Sequence, residues 1–121
     1  MSAIKFRAEE LASRMGEPAP VAAPFGEIVS LVRSYAMSPN DAPRTRTGIW
    51  ECSPGRWRRQ VTQAEFCYFL EGECVFTPDL GAPIEVRAGD ALYFPPNSTG
   101  VWEIRRTARK IFIVFDQGGA T

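Results

Sequence analysis

The chain contains no histidine among its 121 residues. Histidine is the side chain that titrates nearest to neutral pH, and it is the commonest protein ligand of transition metals. Its absence excludes Ser-His-Asp and Cys-His nucleophile systems and every histidine-based metal centre. We therefore expect neither a metal ion nor another cofactor.

Cysteine and long apolar runs are scarce as well. The sequence has three cysteines, Cys52, Cys67 and Cys74. Their odd number argues against a disulfide framework, and the absence of a C-x-x-C pair argues against a zinc knuckle. No apolar run approaches the roughly 20 residues of a membrane span, and the N-terminus lacks the apolar stretch of a signal peptide. We expect a cytoplasmic protein with reduced thiols and no membrane partner.

The sequence also lacks an excess of charge of either sign. Its 14 Lys and Arg residues balance 14 Asp and Glu residues, so no overall field attracts nucleic acid. The densest basic stretch, Arg56, Arg58 and Arg59 around Trp57, could be an RNA-contacting patch or a solvated strand face. Because no nucleic-acid motif surrounds it, we favour the strand face and expect no nucleic-acid partner.

The N-terminal part of the chain predicts a helix and an extended arm. Residues 7–15 are good helix formers with an apolar face, and Gly16 follows them as a stop. The prolines of EPAPVAAP, residues 17–24, prevent regular hydrogen bonding and favour an arm that lies along another surface.

The predicted start of the main domain depends on the residues that follow the proline-rich arm. Residues 25–37 fit a strand by composition and a helix by spacing, and we favour the strand. We predict that residues 1–44 form a helix and arm, which pack on the main domain or on a partner subunit, and that residues 45–121 form a single domain.

From Gly48 onward, short β-rich segments alternate with turn residues such as Glu71-Gly72 and Gly89-Asp90. The predicted strands are 48–52, 56–61, 65–70, 73–77, 83–87, 91–94, 100–106 and 109–115. Strands this short and this numerous predict an all-β jelly roll or a closed sandwich.

The segment from Glu65 to Ile104 resembles the two conserved motifs of the cupin superfamily. Glu65 precedes Gly72 as the Glu and the last Gly of the first motif do, and Gly89 precedes Pro95 as in the second. The finer pattern GIWECSPGRW, ExCYxLEG, AGDxxxFP, TGxWE and RK is similar to the ureidoglycine-aminohydrolase-like subfamily. The resemblance implies an all-β cupin jelly-roll β-barrel with a short N-terminal helix and an extended arm.

The sequence departs from the cupin pattern at the metal-ligand positions. The histidines of the first motif are replaced by residues that do not bind soft metals: Arg59 and Val61, or Arg58 and Gln60 if the gap to Glu65 is one residue longer. The histidine of the second motif falls on Gly100, and its glycine is Asn97. With three of the four customary ligands missing, we expect no bound transition metal.

Glu65 points into the barrel if the resemblance holds, and strand alternation then places Cys67 and Phe69 on the same face. The residues that alternate with them point outward: Phe66, Tyr68 and Leu70. An apolar outer face needs a cover, which either the proline-rich arm or the same arm of a second subunit would supply. We therefore expect a homodimer.

The candidate ligand-binding residues are those that the resemblance places in or near the barrel interior: Arg59, Glu65, Cys67, Tyr93 and Trp102. A buried Glu65 would be protonated, paired with a cation or bound to a ligand, and Arg59 and Lys110 are the candidate cations. A structural ion pair and a ligand contact both remain open for this carboxylate.

The other candidates have structural alternatives. Cys67 is best interpreted as a small buried hydrophobic residue, because an apolar pocket beside a carboxylate raises the pKa of a thiol. For Trp102 we favour core packing over a platform for ligand stacking. The orientation of Tyr93 relative to Leu92 and Phe94 stays open.

These features predict a cupin that binds a small polar or anionic molecule in its barrel without a metal ion. One alternative is an enzyme similar to ureidoglycine aminohydrolase, acting on a ureide or a related small nitrogen compound. Hydrolysis needs an activated water and a proton donor, and Glu65 would have to supply both, so we assign no catalytic residue. A third possibility is an assembly domain whose arm exchanges into a partner.

Overall fold

The computed structural model describes residues 2–115 of the chain. Its elements, in chain order, are α1 (Ala8–Ser13), β1 (Ala19–Pro20), β2 (Pro24–Phe25), β3 (Leu31–Met37), β4 (Thr45–Cys52), β5 (Gly55–Val61), β6 (Ala64–Pro78), β7 (Ile84–Arg87), β8 (Ala91–Phe94) and β9 (Ser98–Phe115). The strands pair antiparallel in one strongly curled sheet that forms a half-barrel. The predicted all-β architecture with one short N-terminal helix is confirmed within residues 2–115.

Strand β9 is the centre of the sheet. On one side it pairs first with β5 and then with β4, and on the other side it pairs with β6 along nearly its whole length. Strands β7 and β8 continue the sheet beyond β6. This arrangement brings the first cupin-like motif, on β5 and β6, against the second one on β8 and β9.

Two pairs of predicted strands are in fact two long strands. Segments 65–70 and 73–77 form the continuous β6, and segments 100–106 and 109–115 form β9. Gly72, at φ +107°, marks a series of register shifts in β6 instead of a chain-reversing turn. A Cβ on Gly72 would lie 2.5 Å from the Cα of Ala108, so both strands bend together at this close approach.

The N-terminal elements belong to the same sheet or pack against it. Residues 31–37 form a strand that pairs with β4, so the helical alternative for this segment is wrong. The helix is shorter than predicted, and it buries Leu11 against β3 and β4. At six residues, it is not long enough to cross a membrane.

The proline-rich arm pairs with two separate strands of its own chain. Its first short strand pairs with β3, and its second pairs with β5. The arm therefore does not cover Phe66 and Tyr68, which are 41% and 47% exposed. The expectation that the chain's own arm covers this face is wrong, because the arm satisfies backbone groups at the sheet edges instead.

The concave face of the half-barrel holds the hydrophobic core. Its largest fully buried side chain is Trp102, which contacts Phe69, Phe76 and Phe94 edge to face. The three cysteines are free thiols and are buried on this face as well.

Candidate functional site

Glu65 lies on the concave face of the sheet. It is 4% exposed, and Cys67 and Phe69 further along β6 are buried on the same face. Phe66 and Tyr68 alternate with them and point to the outside. The parity predicted for this strand is confirmed, since one face packs in the barrel and the other meets solvent.

Two cations contact the Glu65 carboxylate. Arg59, on β5, donates a hydrogen bond from Nη2 to Oε1 at 2.6 Å. Lys110, on β9, forms an ion pair with the same carboxylate, with its Nζ 2.8 Å from Oε2. Both contacts confirm the cations that the sequence offered for this carboxylate. We refer to Arg59, Glu65 and Lys110 as the charge cluster.

Four aromatic rings surround the Lys110 ammonium group. Its Nζ lies 4.4 Å from the ring centroid of Trp50. The other three centroids are slightly farther away, at 5.8 Å for Phe94, 5.9 Å for Trp102 and 6.0 Å for Phe69. Aromatic faces are electron-rich and attract a cation, most strongly where water is excluded. The rings therefore offset part of the cost of burying this charge.

The charge cluster holds Glu65 in its ionised form. Burial alone would raise the pKa of Glu65, but the attraction of Lys110 and Arg59 outweighs burial and lowers that pKa below its ordinary value. Burial and the repulsion of Arg59 lower the pKa of Lys110, against the attraction of Glu65. The two directions are consistent, because two cations compete for one carboxylate. With all three groups ionised, the cluster carries one excess positive charge.

A cavity of about 190 Å³ adjoins the charge cluster, and we call it the cluster cavity. Arg59 and Glu65 form part of its wall, together with a second arginine, Arg46, which donates a hydrogen bond to Gln63 at 3.0 Å. Among residues 2–115, Nη1 of Arg59 is a buried donor without a hydrogen-bond partner. The wall is therefore positively charged and has donor capacity to spare.

The residues at the cupin ligand positions do not fit a metal ion. Of the two possible alignments, the one that faces the interior is Arg59 and Val61, since Arg58 and Gln60 are exposed. Both oxygens of Glu65 already contact cations. Within the described part of the chain, no three His, Cys, Asp or Glu side chains are grouped to hold a metal ion.

The position of the second-motif histidine is closed by packing. An ideal Cβ on Gly100 would lie 2.5 Å from the backbone oxygen of Thr77 and 2.6 Å from Cζ of Phe76. The ring of Phe76 thus occupies the space into which a side chain at residue 100 would project. Glycine is required here by this close approach.

The remaining predicted site residues do not line the cluster cavity. Trp102 is 0% exposed and belongs to the hydrophobic core. Cys67 is buried, and burial raises the pKa of its thiol. Tyr93 points outward from β8 and is 61% exposed, whereas Leu92 and Phe94 pack against the core. Arg59 and Glu65 are thus the two predicted site residues that the structure brings together at a cavity.

Sequence reasoning named Lys110 as a candidate cation for Glu65 without giving its direction, and it did not place Arg46 or Gln63 in the site. In the segment RKIFIVF, residues 109–115, both faces of the strand carry large apolar side chains, so alternation alone cannot show which way Lys110 points. Arg46 and Gln63 lie at strand ends that are distant in sequence and meet only through the pairing of β4, β9 and β6.

Comparison with known proteins identifies the kind of fold that carries this site. The EutQ-like cupin domain family matches residues 40–112. No protein of the curated set matches the chain.

Several solved structures are similar. The Clostridium difficile EutQ protein is 18% identical with a TM-score of 0.64, covering 72% of this chain and 69% of its own. A putative ethanolamine utilization protein Q from Salmonella typhimurium is 14% identical with a TM-score of 0.62, covering 84% and 98%. A DUF861 family protein from Thermotoga maritima is 28% identical with a TM-score of 0.54, covering 55% and 76%. Similarity at these levels establishes the fold and assigns no ligand.

Proposed function

This chain belongs to the family of EutQ-like cupin domains, and we propose that it binds a small anionic molecule, such as a carboxylate, without a metal ion, at the group of charged side chains beside its apolar core. The binding site is the cluster cavity. The observation that carries the proposal is the excess of positive charge at Glu65, where the buried Lys110 and the partly buried Arg59 meet one carboxylate.

The charge of the site favours an anion over a neutral or cationic molecule. A buried charge is strongly destabilising unless it is paired. Within residues 2–115, the two cations of the cluster share a single carboxylate. Arg46 adds a further positive charge to the cavity wall. An anion in the cavity would supply the missing negative charge and accept hydrogen bonds from the guanidinium groups.

The size of the cavity limits the ligand to a few non-hydrogen atoms. Its volume is about 190 Å³, little more than the roughly 150 Å³ that holds a benzene molecule in another protein. Pockets for drug-sized molecules begin at about 300 Å³. A small mono- or dicarboxylate fits this limit, whereas a nucleotide does not.

Titration calorimetry with matched pairs of probes tests the proposal. Formate, lactate and succinate are compared with formamide, lactamide and succinamide, which have similar shapes and no charge. At least one carboxylate should bind saturably, and its amide should bind about tenfold more weakly or not at all. Equal binding of acids and amides would overturn the charge argument.

Two neighbouring arginines on β5 provide a matched pair of variants. Arg59→Gln should lower carboxylate affinity by about tenfold or more, because it removes a cation from the cavity wall. Arg58→Gln is the control, since Arg58 points outward and pairs with Asp79. Carboxylate binding that is unchanged in Arg59→Gln, or equally reduced in both variants, would place the site elsewhere.

The same protein allows the hydrolytic alternative to be tested. Both oxygens of Glu65 contact cations, which stabilises the carboxylate but occupies the group that would have to activate water. Incubation with a ureide should therefore release no ammonia above the uncatalysed rate. Turnover that Glu65→Gln abolishes would replace the binding proposal with an enzymatic one.

A further inference from the structure

A second and larger cavity lies at the ends of β6 and β8 and the start of β9. Its volume is about 360 Å³, and we call it the apolar cavity. Phe76 and Phe94 are among its walls; they are both 3% exposed and pack edge to face with centroids 5.0 Å apart. These two rings belong to the core, so the cavity has a rigid aromatic wall.

The rim of the apolar cavity consists of large apolar side chains that face solvent. Leu80 is 101% exposed, Tyr93 is 61% exposed and Ile84 is 40% exposed. An exposed apolar rim around a concave aromatic wall is typical of a binding site, because a ligand removes both surfaces from water at once.

The cavity offers no free charge. Asp79 is the charged residue of its lining, and it accepts a hydrogen bond from Arg58 Nη1 at 2.8 Å and another from the Thr99 hydroxyl at 2.6 Å. The carboxylate is thus neutralised by a paired guanidinium group. A charged ligand would find no counter-ion here, unlike in the cluster cavity.

Two hydroxyl groups of the lining, those of Ser98 and Thr99, are arranged to accept hydrogen bonds. The Ser98 hydroxyl donates its proton to the backbone oxygen of Pro95, and the Thr99 hydroxyl donates its proton to Asp79. Each oxygen keeps lone pairs but has no proton left to offer. A ligand would therefore satisfy them with an N–H or O–H group of its own.

We propose that the apolar cavity binds a small, uncharged aromatic molecule that carries one hydrogen-bond donor. The aromatic walls favour a ligand with an aromatic ring, and the neutralised Asp79 favours a ligand without charge. The Ser98 and Thr99 oxygens favour a ligand that carries a hydrogen-bond donor. A volume of about 360 Å³ exceeds the roughly 150 Å³ needed for benzene and falls in the usual range of about 300–1,000 Å³ for small-molecule pockets. A bicyclic ring fits this space.

Indole and 1-methylindole are the probes, because they differ in the single N–H donor. In amide NMR titrations of the full chain, indole should shift the resonances of Ser98, Thr99 and Tyr93 saturably. 1-Methylindole should bind several-fold more weakly, since it leaves the hydroxyl oxygens unpaired. Equal affinity for both probes would overturn the assignment of the donor.

The isoleucines at positions 84 and 113 offer matched variants. They are 40% and 37% exposed on strands, but only Ile84 is among the residues that line the apolar cavity. Ile84→Trp should narrow the cavity and weaken indole binding by about tenfold, while Ile113→Trp should leave it unchanged. Leu80→Ser, at a fully exposed position where substitutions change stability little, should weaken indole binding several-fold.

Three outcomes would overturn the proposal: no saturable binding of indole, equal binding by Ile84→Trp and Ile113→Trp, or shifts confined to the outer face near Ile113. The last would point to an apolar surface that a macromolecule covers. Carboxylate titrations of the same variants separate the two sites, because Ile84→Trp should retain carboxylate binding and Arg59→Gln should retain indole binding.

Discussion

The charge cluster predicts that removing its anion and removing one of its cations have very different effects on stability. Glu65→Gln keeps the volume of the side chain but leaves the buried Lys110 and the partly buried Arg59 without the carboxylate that they share. Lys110→Met keeps a long side chain among the four aromatic rings and leaves the Arg59–Glu65 hydrogen bond at 2.6 Å in place. The two variants therefore separate the role of the carboxylate from that of the excess cation.

The expected magnitudes follow from the contacts. Glu65 makes two ion-pair contacts, a partly buried one with Arg59 at 2.6 Å and a buried one with Lys110 at 2.8 Å. Removing the only anion from such a group costs about 3–5 kcal/mol, since the charges left behind are uncompensated. Lys110→Met loses one attraction, but it also ends the repulsion from Arg59 and the burial of an ammonium group. We expect a change within about 1.5 kcal/mol, as for other swaps that conserve volume.

Urea unfolding at pH 7, followed by tryptophan fluorescence, measures both changes on the same scale. The free energy of unfolding should fall by about 3–5 kcal/mol in Glu65→Gln, a large part of the roughly 5–15 kcal/mol of a typical domain. Circular dichroism confirms that each variant is folded before the comparison. A loss in Lys110→Met equal to or larger than that in Glu65→Gln would refute the idea of an excess cation.

Four further results are expected. The pKa of Glu65 is lowered, so its pairing stabilises the fold fully at pH values above the ordinary pKa of 4.5. The free energy of unfolding should therefore fall as the pH drops from 4.5 through the lowered pKa. Urea titrations at several pH values should show that Glu65→Gln lacks this pH-dependent component. Gly100→Ala should lose about 1–3 kcal/mol on urea unfolding because its Cβ meets neighbouring atoms, whereas Gly16→Ala, with nothing within 4 Å, should change little. We propose that a second copy of the chain covers the exposed face around Phe66 and Tyr68. Light scattering should then give a mass of about twice 13.4 kDa, and Tyr68→Lys should give the mass of the monomer. A monomeric mass for the wild-type protein would contradict this proposal. Dialysis against a chelator should leave carboxylate binding unchanged, and a loss restored by one metal would contradict the metal-free site.

The sequence was most informative where a strand has one apolar and one mixed face. The cupin resemblance implied that Glu65 points inward, and alternation on β6 then gave the direction of Cys67 and Phe69. The two cations near Glu65 followed from the cost of a buried carboxylate. Strand ends were less predictable. Gly72 has the composition of a turn but serves as a bend between two long strands, a distinction that depends on the close approach of Ala108.

Other features depend on tertiary packing and could not be predicted from the sequence. The aromatic rings around Lys110 come from β4, β6, β8 and β9, and their meeting requires the register of all four strands. The sequence likewise could not predict which strands the arm pairs with. Its short strands pair with β3 and β5 through backbone groups, which carry no signal in the side chains.

The charge cluster changes what the barrel interior can do chemically. The cupin resemblance implies a metal ion beside the motif glutamate, and here Arg59 and Lys110 place two positive charges beside Glu65 instead. These charges still attract an anion, but they act through N–H groups and not through open coordination positions. They can hold a carboxylate, yet they cannot lower the pKa of a bound water as a metal ion does. The replacement therefore supports the proposal that the site binds an anion and does not hydrolyse it.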